Sequence, residues 1–273
     1  MDGAPRVLIL TASYGSGHNA VAAALEAALR AAGARTQIVD HFRQLVHPRF
    51  DRWTRRLYGA VVCRAPALWR FAYWLGDRMA ASSPLAFDAN QLGRRKLAQL
   101  LDAERPDCVA CTHPTPAGAL ASLRARGHRV PPFGVVFSDF AAHRQWVHPA
   151  ADIHYVPDAA PARGSVARGA PESSVVVTGI PVRAEFAEPR DRAAARESLG
   201  LDPERPVVLA MAGASGRVGR LAAVARVLGR LPVPLHAVIA AGTDAALAAR
   251  LRRMVAGDER IRVVGYVDNV RAL

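Results

Sequence analysis

Apolar residues arrive along the chain in short unbroken runs, separated by stretches with helical spacing. Residues 6–12, Arg-Val-Leu-Ile-Leu-Thr-Ala, show no polar alternation, which is the pattern of a strand buried on both faces. The Ala- and Leu-rich stretch 19–32 stops at Gly33 and predicts a helix. Residues 36–39, 108–112, 134–137, 153–156 and 175–178 are further β-rich runs, with helical segments such as 116–125 between several of them. This alternation predicts an α/β unit whose parallel sheet is covered on both faces.

From Gly179 to Pro206 the pattern lapses, and the turn signals Asp202-Pro203 and Arg205-Pro206 mark a linker. A second series follows, with strands predicted at 207–212, 235–240 and 261–264 and helices at 218–229 and 244–255. A doubly wound sheet usually holds about five or six strands. The expected organisation is therefore a domain over 1–180 and a partial, truncated second domain over 181–273, both α/β.

Residues 43–99 differ in character and read as an insertion. Phe50, Trp53, Leu57, Tyr58 and Val61 recur at helical spacing among Arg49, Arg52, Arg55, Arg56 and Arg64, and Trp69, Phe71, Tyr73 and Trp74 follow. A basic helix with aromatic anchors suits a membrane interface, with Trp53, Trp69 and Trp74 as the membrane residues. An ordinary helix pair packed on the domain by its aromatic face fits the same pattern.

Composition narrows the partners. The chain has 273 residues, half of them hydrophobic, and a net charge of +13 that comes almost wholly from arginine, Lys96 being the one lysine. That charge favours anionic partners, but arginine spread along the whole chain is not the compact patch of a nucleic-acid binder, so no nucleic-acid partner is expected. The apolar runs are too short to span a bilayer, and residues 1–6 lack the features of a signal peptide, so a cytoplasmic setting is expected. Cys108 and Cys111 form a C-x-x-C match within a strand, where a spacing of three puts them on opposite faces. With no second cysteine pair, two reduced core thiols are expected and no metal site.

Three clusters carry candidate chemistry. Thr11-Ala12-Ser13-Tyr14-Gly15-Ser16-Gly17-His18 joins the first strand to the first helix. Gly15 and Gly17 there would let the backbone turn tightly and approach a ligand, and the helix amino end presents free N–H groups. His18, at the carboxyl edge of the sheet, is a candidate base, with a pKa lowered by that helix end. The loop also matches G-x-G-x-x-A, with Asp40 near the position of a ribose-binding acid; a solvated acid at a strand end is the rival reading. The second cluster is His113 after one strand and Ser138-Asp139 with His143 and Trp146 after another, where Asp139 and His143 could orient a hydroxyl and Trp146 could stack on a sugar or apolar face. The third is Gly213-Ala214-Ser215-Gly216, a phosphate cradle without the Lys-Ser/Thr of a Walker A loop.

Taken together, Gly15-Ser16-Gly17-His18-Asn19-Ala20, Thr112-His113-Pro114, Ser138-Asp139-Phe140 with His143 and Trp146, the run 177–183 with Phe186, and the run 265–269 resemble the monogalactosyldiacylglycerol synthases and processive diacylglycerol glucosyltransferases, relatives of the lipid-linked GlcNAc transferase of peptidoglycan synthesis. The resemblance covers essentially the whole chain. It implies the GT-B fold, two facing Rossmann-like domains, with the lipid acceptor on the first and a UDP-sugar on the second. It implies inversion at the anomeric carbon with no cofactor and no obligatory metal, the donor being UDP-glucose or UDP-galactose. On that pattern His18 is the base and Asp139 its rival. Gly15, Gly17, His113, His143 and Trp146 surround the acceptor. Arg183, Gly213, Ser215 and Gly216 face the diphosphate, and Tyr266 and Val267 border the uracil. The implied partners are diacylglycerol and the anionic inner face of the cell membrane. The glycine loop is poorer in glycine than in relatives, and the family's sugar- and ribose-binding stretch is expected after Leu273. A nucleotide-sugar epimerase and a membrane-associated acceptor-binding module without turnover are the competing readings.

Overall fold

The computed structural model describes residues 3–79, 91–189, 191–211, 213 and 220–272. It divides into two units, Met1–Ala184 and Glu185–Leu273. The division falls four residues beyond the boundary drawn from the turn signals.

In the first unit the strands are β1 (Arg6–Thr11), β2 (Arg35–Asp40), β3 (Cys108–Cys111), β4 (Phe133–Val136), β5 (Ile153–Val156) and β6 (Val175–Val177). They form one parallel sheet in the order β2-β1-β3-β4-β5-β6. Helix α1 (Ser16–Ala31) joins β1 to β2. A π-helical turn over His41–Val46, α2 (Pro48–Arg64), α3 (Pro66–Arg78) and α4 (Arg94–Glu104) lie between β2 and β3, α5 (Pro114–Ala125) between β3 and β4, and α6 (Ala159–Ala167) between β5 and β6. The segment expected as one insertion is thus several helices, and α6 escaped the sequence reading.

Alternation along the strands sorts side chains between two faces. Leu8, Leu10, Val109, Cys111, Phe133, Val135 and Val156 form the main core with α4 and α5. Val7, Ile9, Cys108 and Ala110 face the other way, onto α1. Cys108 and Cys111 therefore lie on opposite sides of the sheet, as their spacing predicts, and among the described residues no group of three or more His, Cys, Asp or Glu is placed to hold a metal ion. Both faces of the sheet are covered, as expected, but unequally: among the described residues only α1 packs on the second side, the other helices of the core cluster lying on the first. Beyond α1 the Tyr155 ring lies across β4, where a Cβ on Gly134 would come within 2.8 Å of it. An apolar cavity of about 360 Å³ remains beside Leu25, Leu29 and Ala110.

The sheet order places the site. From β1 the chain moves outward to β2, then returns past β1 to β3. The loops after β1 and β3 diverge at that reversal, and a crevice at the carboxyl ends of the strands results.

The second unit is smaller. α7 (Arg192–Ser198) sits inside the expected linker, held by Asp191, which accepts from the N–H groups of Ala193 and Ala194. β7 (Val207–Met211), β8 (His236–Ala240) and β9 (Ile261–Val264) form a parallel three-stranded sheet with α8 (Leu221–Arg230) and α9 (Ala245–Met254). Its core holds Leu221, Leu228, Ile239 and Leu251.

Three buried histidines in the first unit make its stability depend on pH. Burial pushes His41, His148 and His154 each down to about 4. His154 shows why a proton is excluded: its Nε2 accepts the His148 N–H at 3.3 Å and its Nδ1 meets the Ser174 hydroxyl at 3.3 Å, so both nitrogens are used in the neutral form. The unfolded chain takes up these protons near the ordinary histidine value and the folded chain does not. Stability therefore falls as pH drops from about 6.5 to 4, by at most about 1.4 kcal/mol per pH unit for each ring. Thermal unfolding measured across that range is expected to show the fall, with proton uptake on unfolding. A melting temperature flat from pH 7 to 4.5 would contradict it.

Candidate functional site

The site grows from the loop between β1 and α1. Ser13 donates to Asp40 and accepts from Asn19 Nδ2 at 2.9 Å, and Thr11 donates to Asn19 Oδ1 at 3.1 Å. Asp40 also accepts the Arg43 N–H at 3.0 Å and so caps the following turn. Asp40 is thereby spent on the loop and on a cap, which corrects its reading as a ribose-binding acid. For Gly15 and Gly17 the expected tight turn is corrected, while the open approach is kept. Gly15 is extended, with φ −171°, Gly17 lies in α1, and neither has a positive φ. No protein atom comes within 4 Å of a Cβ placed on either, so both present bare backbone to the space above the sheet.

His18 is the third residue of α1. Its Nδ1 lies 3.0 Å from the Thr112 carbonyl oxygen and 2.8 Å from the Ser138 hydroxyl. A carbonyl only accepts, so the proton of the neutral ring sits on Nδ1 and the Nε2 lone pair is left bare. Among the described residues Nε2 has no hydrogen-bond partner. Burial lowers the His18 pKa, while the Thr112 carbonyl and the Asp139 charge act against that shift. The lowering expected from the helix end is present in direction, with burial as its cause.

Two rings wall the imidazole. His113 meets it edge-on at 4.8 Å, and Trp146, stacked on Phe137 at 5.1 Å, lies 5.7 Å away. His113 caps α5, its Nδ1 accepting the Thr115 N–H at 3.2 Å. Its Nε2 therefore carries the proton. Burial and the neighbouring His18 and His41 rings keep it well below the usual histidine range. Asp139 is exposed and accepts the Ala141 N–H at 3.2 Å.

The structure uses His143 differently from its expected acceptor role. The ring is buried, its Nδ1 accepts the Gln145 N–H at 3.2 Å, and its Nε2 donates to the Tyr73 carbonyl at 2.9 Å. Nε2 ties the loop to α3, Nδ1 caps the loop's own turn, and none is left for a ligand. Trp69 is corrected in the same sense: it meets the Tyr58 ring at 4.9 Å and points inward, whereas Trp53 and Trp74 are 62% and 47% exposed. Of the expected donor residues, Arg183 falls in the first unit and Gly213, Tyr266 and Val267 in the second. Gly213 has φ +68°, a conformation that favours glycine, and Tyr266 is exposed. Ser215 and Gly216 lie outside the described residues. The roles of the Thr112 carbonyl and the Ser138 hydroxyl went unread, because a main-chain carbonyl has no signature in sequence. Their position directly after β3 and β4 was the available signal.

Against known proteins, residues 18–182 match the family described as monogalactosyldiacylglycerol (MGDG) synthase. The chain belongs to that family. Two curated relatives are the processive diacylglycerol beta-glucosyltransferases of Bacillus cytotoxicus, 30% identical over 270 residues, and of Bacillus mycoides, 31% over 271; each alignment spans 98% of this chain and 69% of the relative. As an MGDG synthase family member the chain is placed among the glycosyltransferases, which favours that reading over a module without turnover. The fold is similar to that of S. aureus MnaA solved with UDP (TM-score 0.54, 15% identical, 98% of this chain and 70% of that one). A glycosyltransferase from Rickettsia africae gives 0.54 at 11%, over 100% and 70%, and Anabaena HepE with UDP-glucose 0.53 at 11%, over 96% and 69%. These likenesses establish the GT-B architecture, with a six-stranded parallel sheet in the first unit and a smaller one in the second.

The Asp40 assignment is open to direct test. Asp40→Ala removes a cap and leaves the Ser13 hydroxyl without its acceptor, so a loss of about 1–3 kcal/mol in denaturant unfolding is expected, with no NAD binding in either protein. Saturable NAD binding by the wild type, abolished in Asp40→Ala, would restore the dinucleotide reading.

Proposed function

We propose that the chain transfers a hexose from UDP-glucose or UDP-galactose to the free hydroxyl of diacylglycerol, with inversion, at the inner face of the cell membrane. The observation that carries this reading is the bare Nε2 of His18, aimed by the Thr112 carbonyl behind it. The hydroxyl oxygen attacks the anomeric carbon as its proton passes to Nε2. The bond from that carbon to the phosphate oxygen breaks, and UDP leaves with the electron pair. Attack opposite the leaving group inverts the centre. The imidazolium that forms donates from Nδ1 to the Thr112 carbonyl, and the Asp139 charge favours it. Burial favours the neutral ring before each turnover. His113 does not compete for the role, since its one bare nitrogen is already an acceptor within the cap.

On this reading Gly15, Gly17 and Trp146 line the acceptor, and Arg183, Gly213, Tyr266 and Val267 serve the donor, together with Ser215 and Gly216. Asp139 is the alternative base. The exposed aromatics Trp53, Phe71 and Trp74, with the arginines of α2 and α3, dock the first unit on anionic lipid. Trp74 stacks with Phe71 at 5.8 Å and carries the Arg78 guanidinium 3.9 Å from its ring, pairing apolar surface with positive charge. Among the described residues no helix is long and apolar enough to cross a membrane.

His18→Ala is expected to lower kcat by about 10²- to 10⁴-fold with the donor KM little changed. In the wild type the acidic limb of kcat/KM is expected below the ordinary histidine value, because a lowered pKa keeps the base neutral further into acid. Retention of more than about a tenth of the rate in His18→Ala would pass the role to Asp139. Membrane docking is tested separately: Trp53→Ala with Trp74→Ala should weaken sedimentation with phosphatidylglycerol vesicles, and Trp69→Ala should act through stability instead. Unchanged sedimentation of the folded double variant would end the docking reading.

A further inference from the structure

Helix α3 buries none of its side chains, yet it is fastened to the loop beside His18. Asp77, near its end, accepts the Arg144 N–H at 2.8 Å and the Arg168 Nε and Nη2 at 3.1 and 2.9 Å. One turn earlier the Tyr73 carbonyl accepts from His143. Between them Gly76 lets the helix approach closely, since a Cβ there would lie 3.3 Å from Gln145 Nε2 and 3.5 Å from the His143 ring. Glycine inside a helix is unfavourable by about 1 kcal/mol relative to alanine, so its presence at this contact favours closeness over helix propensity. The loop so held is the one that carries Ser138, 2.8 Å from His18 Nδ1, and Trp146, which walls the same ring.

We propose that Asp77 is a positioning residue for His18, locking the loop 138–146 to the aromatic helix α3 so that the helix and the base move as one body. The inference rests on the reading of His18 as the base. Asp77 touches no reacting atom in this scheme. It acts through the main chain of Arg144, then Ser138 and Trp146. The Arg168 guanidinium holds the Asp77 carboxyl down to about 2, so the clamp stays charged at any working pH. Displacement of α3 then reaches the imidazole through Ser138 and Trp146.

The test is nitrogen NMR of the full chain carrying ¹⁵N-labelled histidine, with rates measured on UDP-glucose and diacylglycerol in phosphatidylglycerol vesicles. In wild type the His18 signals should show a protonated Nδ1 and a bare Nε2. In Asp77→Asn the ring should stay protonated on Nδ1, because the sheet still holds the Thr112 carbonyl, but the Nδ1 signal should shift as the Ser138 contact loosens, and kcat should fall about tenfold with the donor KM unchanged. Adding Asp77→Asn to His18→Ala should then lower the rate no further, because both act on one step. Arg168→Gln removes the charged partner and leaves Asp77 in place, and it should shift the same signals by less; it serves if Asp77→Asn does not fold. Unshifted His18 signals in either folded variant overturn the clamp. An active His18→Ala enzyme alongside shifted signals in Asp77→Asn sinks the base and leaves the clamp standing.

Discussion

The Thr112 carbonyl behind His18 is the contact on which the site depends, and the sheet itself aims it. Strand β3 pairs with β1 through Leu10 and Cys111, and the Thr112 N–H donates to the Leu10 carbonyl at 2.9 Å. That bond extends the ladder by one residue and sets the plane of the next peptide. The carbonyl that follows points at His18 because the reversal of strand order brings the β1 and β3 loops side by side. No side chain at 112 is needed to orient the imidazole. A hydroxyl partner alone would leave the tautomer undecided, since Ser138 can donate or accept; the carbonyl decides it.

The neighbouring histidine is held in the opposite tautomer by the same class of contact. His113 Nδ1 accepts a main-chain N–H where His18 Nδ1 faces a main-chain oxygen. Two imidazoles 4.8 Å apart thus have fixed and different proton positions, each dictated by backbone. Their mutual presence disfavours two charges at once, and burial disfavours even one on His113. Asp139 is the exposed counterweight, its charge acting against the burial that lowers the His18 pKa. The pair resembles a device for accepting one proton and no more.

The nine strands found among the described residues were legible because they are continuous apolar runs bounded by helical stretches, whereas their order, with its reversal at β1 and β3, came only with the structure. The two faces of Cys108 and Cys111 followed from alternation alone. Other features were not legible, for identifiable reasons. Gly15 and Gly17 look like a turn in sequence but have ordinary φ values, since the chain enters α1 directly from an extended residue. Asp40 matched a motif spacing, but its partners, Ser13 and the Arg43 N–H, are set by three-dimensional closure of the loop. Trp69 and Trp74 sit on one helix five residues apart, roughly 140° around the axis, and only the packing of α2 shows which one turns inward. Short helices such as α7 are fixed by a single capping aspartate and carry little periodicity.

The polar fastening of α3 has a physical logic of its own. A helix that keeps most of its apolar residues outward has few left to bind its own domain, here Trp69 on Tyr58 and Tyr73 on His143, so polar groups add to its hold. Asp77 and Arg168 are each about a quarter to a third exposed, and in water such a pair contributes little. Its strength depends on the surrounding dielectric: two opposite charges at this distance attract several times more strongly when low-dielectric material replaces water nearby.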